Sequence, residues 1–232
     1  MSTPVVLVPG APVLVPELSG DAVADTATEV DVVLGLLSAA AADLDRVVVL
    51  GSDPAGRVTG DVRSSLARWG AAVPVGRADA SVGEHAEVPD AALIGWWLLD
   101  RAGIGLPRSF VGVTGDGQPT RHPEPDTLVV VVADGPASLT PRAPVPEDPR
   151  GVALDRELTD WIRCGGSLPD PGGTVAEAVG WWSRPAWLEL AGLVGERPAL
   201  ESVSWAPFGV GYHCALWHVS SSSGSPEQER SR

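Results

Sequence analysis

Leu128-Val129-Val130-Val131-Val132 runs directly into Ala133-Asp134-Gly135. Five apolar residues in a row leave no polar face, so this segment reads as a central strand covered on both sides. The run Val47-Val48-Val49-Leu50, broken by Gly51-Ser52-Asp53-Pro54, reads the same way. A third apolar run, Val5 to Val8, stops at Pro9-Gly10. Between the first two strands in chain order, Val30, Val33, Leu34 and Leu37 recur at helical spacing. They predict a helix capped at Ser19 or Asp21 and running to about Ala42. Strand, helix and apolar strand together make a parallel pair with a crossover helix. The fold class that follows is α/β: one three-layer α/β/α domain with a largely parallel or mixed central sheet.

The rest of the chain fits that frame. Residues 54 to 88 predict loop, with a short helix over Val62 to Trp69. Pro89 and Asp90 open a helix that carries Ile94, Trp97 and Leu98 and ends near Gly103. Phe110 to Val113 is a short strand, and Gly115 to Asp126 a polar turn region. Pro141 to Pro149 is a proline-rich loop. Helices follow over about Val152 to Ile162, Val175 to Val179 and Pro185 to Leu193. Ser202 to Trp205 reads as an edge strand and Gly211 to Val219 as the last strand. The domain spans residues 1–219, and the polar tail 220–232 is expected to be disordered.

Composition narrows the function classes. Thirty acidic against sixteen basic residues give a formal charge of −14, which disfavours nucleic acid and anionic membranes as partners. No apolar run is long enough to span a bilayer, and the proline-interrupted N-terminus lacks a basic leader region; a cytoplasmic location is the default expectation. The two cysteines, Cys164 and Cys214, are read as reduced thiols. Nine tryptophans against one tyrosine and two phenylalanines favour core or interface wedges, with an aromatic ligand platform as the other reading. A homodimer is plausible on the same ground.

Three segments carry a family resemblance: Val6-Leu7-Val8-Pro9-Gly10-Ala11-Pro12-Val13-Leu14-Val15-Pro16-Glu17-Leu18, Val131-Val132-Ala133-Asp134-Gly135-Pro136-Ala137-Ser138, and Ala206-Pro207-Phe208-Gly209-Val210-Gly211-Tyr212. With them the chain resembles, from about residue 5 to 219, actinobacterial relatives of the catalytic B subunit of class III extradiol ring-cleavage dioxygenases. The resemblance implies a three-layer α/β domain with its pocket at the strand ends. It also implies Fe(II) held by two histidines and a glutamate, with a further acid/base histidine; such a face leaves open positions for catecholate and oxygen. The chain departs from that pattern. Gly10 stands in the turn where the first histidine belongs, Ser52 and Asp53 where the second belongs, and Asp134-Gly135 where the acid/base histidine belongs. No glutamate ligand is placed. The expectation is therefore the family's scaffold without its iron, and no metal or cofactor is assigned.

The candidate residues follow from the strand ends, where open α/β sheets put their sites. Asp134 ends the central strand, beside Gly135, which permits a tight turn or a close ligand. The alternative is that Asp134 only shapes the turn. His213 is the second catalytic candidate, and Pro9, Gly10, Ser52, Asp53 and Gly135 are expected to line the pocket. His85 and His122 sit beside carboxylates and read as exposed acidic turns. His213 is not expected to share a metal with Cys214 or with His218, because odd spacings along a strand tend to face opposite ways. No Walker, dinucleotide or nucleophile-elbow pattern occurs. Two functions remain: a diverged small-molecule binder or scaffold without ring cleavage, or a metal-dependent or metal-free oxidoreductase with a rearranged site. The second requires at least three of Asp53, Asp134, His122 and His213 to converge.

Overall fold

The computed structural model describes residues 2–82, 88–115 and 124–220. In chain order the elements are β1 (Ser2–Val8), α1 (Pro16–Ser19), α2 (Ala27–Ala40), β2 (Arg46–Ser52), β3 (Val58–Thr59), β4 (Val62–Ser65), β5 (Pro74–Val75), β6 (Ser81–Val82), α3 (Asp90–Arg101), β7 (Arg108–Val113), β8 (Thr127–Val132), α4 (Pro149–Cys164), α5 (Gly173–Ala178), α6 (Arg184–Val194), β9 (Glu201–Trp205) and β10 (Tyr212–Ser220). Seven strands form one mixed sheet in the order β3-β7-β2-β8-β1-β10-β9. Its centre, β7-β2-β8-β1, is parallel, and β3 and β10 run against their neighbours.

Alternation along the strands divides the core in two. Val6, Val8, Val49, Val130 and Val132 face one side, where α2 and α3 cover them. Val5, Leu7, Leu50, Val129 and Val131 face the other, under α4, α5 and α6. Both faces of the parallel strands are thus dry, which is why the sequence there shows apolar runs rather than alternation. Four tryptophans fill the second side. Trp161 packs against Trp187 and Trp217 at centroid distances of 6.2 and 6.1 Å, and Trp181 lies 6.3 Å from Trp187. With Trp96 and Trp97 buried on the first side, six of the nine tryptophans are core wedges.

Local chemistry sets the helix ends. Asp148 caps α4 by accepting from the Arg150 N–H at 2.8 Å, Pro149 occupies the first turn, and Gly165 ends the helix at φ 75°. Two expectations are corrected. Residues 62–69 do not form a helix: Val62–Ser65 is β4, in a small three-stranded sheet with β5 and β6, and only Ala67–Trp69 turns, as a short 3-10 segment. Val62-Arg63-Ser64-Ser65 has too few apolar residues to sustain a helical stripe, whereas backbone pairing with Pro74 and Val75 needs none. The helix expected from Ser19 or Asp21 begins only at Ala27. Before it the chain makes the single turn of α1 and a 3-10 segment over Gly20–Asp25. Gly20, at φ 53°, breaks α1 before the longer helix can start. The tail beyond Ser220 lies outside the described residues, and Ser220 itself ends β10.

Gly51 on β2 lies tightly under the first turn of α3. A Cβ there would collide with the Ala91 methyl and crowd Phe110 at 3.2 Å. Gly51→Ala is expected to destabilise the protein by about 1–3 kcal/mol, since overpacking forces helix and sheet apart. Urea denaturation with an unchanged slope and a lower midpoint would show it.

Candidate functional site

The parallel strands end together, and two adjoining clefts open above them. The larger is a cavity of about 570 Å³, walled by Trp69, Trp182, Phe208 and Tyr212. The smaller, about 390 Å³, is lined by Ser52, Asp53, Thr114 and Pro185. Gly10, Asp90, Asp134, Trp182 and Ser183 belong to both. Volumes of this size suit a small organic ligand.

Asp134 forms the floor between them and is held at three points. Its peptide N–H donates to Ser183 Oγ at 3.2 Å, and its carbonyl accepts from the Trp187 indole N–H at 2.9 Å. Its carboxylate Oδ1 accepts from the Gly10 N–H at 2.9 Å. Among the described residues no cation pairs with this carboxylate. Burial therefore dominates and pushes its pKa up to about 6, against the lowering effect of the Gly10 bond. The Tyr212 ring is buried beside it, and desolvation together with the Asp134 charge keeps the phenol protonated well above its ordinary range.

The other carboxylates are neutralised. Asp53, 3% exposed, takes Arg57 Nη2 on one oxygen at 2.8 Å and Nε on the other at 2.9 Å. The Arg57 side chain, aided by backbone bonds, holds Asp53 down to about 2 despite burial. Asp90 pairs with Arg68, whose second nitrogen donates to the Val88 carbonyl. The Ser52 hydroxyl accepts from the Ala186 N–H at 3.2 Å in the first turn of α6.

The sequence candidates are thus divided. Gly10, Ser52, Asp53, Asp134 and Gly135 lie on the clefts, whereas Pro9 is buried and lines neither. His213 is buried behind Gly135. Its Nδ1 lies 2.9 Å from Ser204 Oγ and its Nε2 3.2 Å from Asp155 Oδ1 on α4, close but not aligned for a hydrogen bond. The imidazole and the Trp187 ring pack edge to face, with centroids 5.4 Å apart. His85 and His122 lie outside the described residues. Of the four residues whose convergence a rearranged site would need, Asp53 and Asp134 line the same cleft and His213 lines neither. Sequence reasoning missed Trp182, Ser183 and Asp155. The first two follow Gly180, whose φ of 70° turns the chain toward the cavity, but no local pattern carries that signal.

Iron of the resembled kind does not fit these residues. Among the described residues no three His, Cys, Asp or Glu side chains are placed to hold a metal ion. A side chain at position 10 would also have to displace Val132, whose Cγ1 lies 2.8 Å from a Cβ built there. No protein-family model matches the chain, and no curated protein matches it significantly. Among the described residues no helix is long and apolar enough to cross a membrane.

The raised pKa of Asp134 makes a stability prediction. Its folded value lies above the unfolded one, so the protonated form favours folding, and that contribution fades as pH rises through about 6. Asp134→Asn keeps an acceptor for Gly10. It is expected to gain stability relative to the parent by roughly 1–2 kcal/mol between about pH 4 and 8, after allowance for partial solvent exposure. Urea melts of both proteins across that range measure the difference.

Proposed function

We propose that this protein binds a small molecule in the strand-end cavity, on a scaffold like that of extradiol dioxygenase B subunits, and has no ring-cleavage activity. The observation that carries the reading is the crowding of the would-be metal position. Val132 Cγ1 stands where a side chain at position 10 would start, while an aromatic-walled cavity of about 570 Å³ remains beside it. Asp53, at the second position, is committed on both oxygens to Arg57. One desolvated carboxyl among aromatic rings suits recognition: the rings supply contact area, and the single polar group sets orientation.

Iron and oxygen measurements test the loss of chemistry. Anaerobic titration of the untagged protein with Fe(II) is expected to give no saturable binding, and catechol no oxygen uptake. About one iron per chain with catechol-dependent oxygen consumption would overturn the proposal. The binding half is tested by NMR titration with a set of cationic, neutral and anionic aromatic fragments. Saturable shifts are expected at Trp182 and Tyr212, and a set that leaves both unmoved would remove it.

A further inference from the structure

The charge around the cavity is uneven in a way that bears on what it holds. Three aspartates surround the strand ends, and two carry their own arginine. Asp53 is gripped by Arg57 and Asp90 by Arg68. Arg68 also lies over the Trp69 ring, 5.8 Å from its centroid, so its charge is used at the rim. Among the described residues the Asp134 carboxylate has one donor, the Gly10 N–H on Oδ1. Neither cleft is lined by a described Lys, Arg or His.

Such a cavity discriminates by charge. A carboxylate, phosphate or phenolate placed there would meet the Asp134 carboxyl with no cation to offset it. A neutral ring would gain the aromatic contacts but cover the carboxyl and leave it only the Gly10 N–H bond, which is costly in a site of low dielectric. A protonated nitrogen supplies the missing partner, and its bond to a carboxylate is charge-assisted. Electron-rich rings at Trp182 and Tyr212 favour a cation as well. The chain's net charge of −14 draws cations toward the cleft at long range.

We propose that the cavity is a site for a small aromatic amine, with its ring against Trp182 and Tyr212 and its ammonium group on the Asp134 carboxylate. The inference rests on the binding function proposed above and narrows it to a ligand class, opposite in charge to the catecholates that the resemblance would suggest.

Affinity should then depend on pH. Asp134 must be ionised to hold the ammonium, and its pKa in the free protein is about 6. The groups facing it are Tyr212, which stays neutral, and Asp53 and Asp90, each paired with an arginine. Behind Gly135 lies His213, with Asp155 beside it. Lowering the pH from about 7.5 to about 5 is expected to weaken amine binding roughly ten-fold, because the carboxylate becomes about nine-tenths protonated.

The test uses the full chain and three probes of similar shape: benzylamine, benzyl alcohol and phenylacetate. Each is titrated by NMR at neutral pH, following the indole N–H of Trp182 and the ring of Tyr212. Benzylamine is expected to bind saturably, benzyl alcohol at least ~10-fold more weakly, and phenylacetate not at all. Asp134→Asn should reduce benzylamine to the level of the alcohol and abolish the pH dependence. Trp182→Ala, at a residue already 56% exposed, should weaken benzylamine and benzyl alcohol without unfolding the protein. Alcohol or phenylacetate binding as tightly as the amine would overturn the ligand class and leave the binding function standing. So would an Asp134→Asn variant with unchanged amine affinity or an unchanged pH profile. Failure of all three probes to bind at the cavity would overturn both.

Discussion

Asp134 sits where the two halves of the core meet the cleft, and its peptide unit is the tether for both. Trp187 reaches up from the tryptophan cluster to bond its carbonyl, and Ser183, at the start of α6, takes its N–H. The carboxylate crosses to β1 through the Gly10 N–H, while Ala133 N–H bonds the Val8 carbonyl just below. The ends of β1 and β8 and the N-terminus of α6 are therefore fixed relative to one another by one residue. The cavity walls inherit that rigidity: Gly135 N–H bonds the Gly211 carbonyl at 2.7 Å, which sets Tyr212 at the start of β10. A preorganised wall matters for binding, because a ligand then does not have to order the site it enters.

Electrostatics make that tether more than a brace. The protein carries an excess of acid, yet at the strand ends it neutralises two of three carboxylates with dedicated arginines. Asp53 is ionised without cost to the fold, as its depressed pKa records. Asp134 is the exception, and its carboxyl penalises the folded state once it ionises. A group that serves only the turn could be an asparagine, which would accept the same Gly10 bond without a charge. Keeping an acid there makes sense where a partner for that acid arrives from outside.

Much of the architecture was legible because burial on both faces leaves an unmistakable trace. Val47 to Leu50 and Leu128 to Val132 have no polar position to spare, and Pro89-Asp90 announces a helix start through known end chemistry. The start of α4 was read three residues late, at Val152, because Pro149 was counted with the proline-rich loop instead of as the first helical residue after the Asp148 cap. Asp134 was legible for the same reason, as the first ionisable residue past a central strand. Residues 58–82 were not, because two-residue strands held by backbone bonds impose almost no side-chain pattern. Trp182 and Ser183 were hidden by distance: they reach the cavity through the packing of α5 and α6 on the sheet. Even position 10 was only half readable. The sequence shows a glycine, but only the structure shows that Val132 fills the adjacent space.

His213 illustrates how a chemically suggestive constellation can be structural. Ser204, His213 and Asp155 line up as a hydroxyl, an imidazole and a carboxylate, with contacts of 2.9 and 3.2 Å. Catalysis would also need room for a reacting atom at the serine and donors for the charge it develops. The imidazole instead is enclosed. Trp187 packs edge to face with its ring, and Cβ atoms built on Gly135 and Gly211 would press on Nε2 at 3.0 and 3.3 Å, the latter also colliding with Asp155. Ser204 lies on the edge strand β9 and lines neither cleft. The line therefore joins β9, β10 and α4 beneath the glycines that support the cavity floor. The two candidate residues act at different depths of one assembly: His213 props the Gly135–Gly211 contact from behind, and Asp134 presents its charge in front.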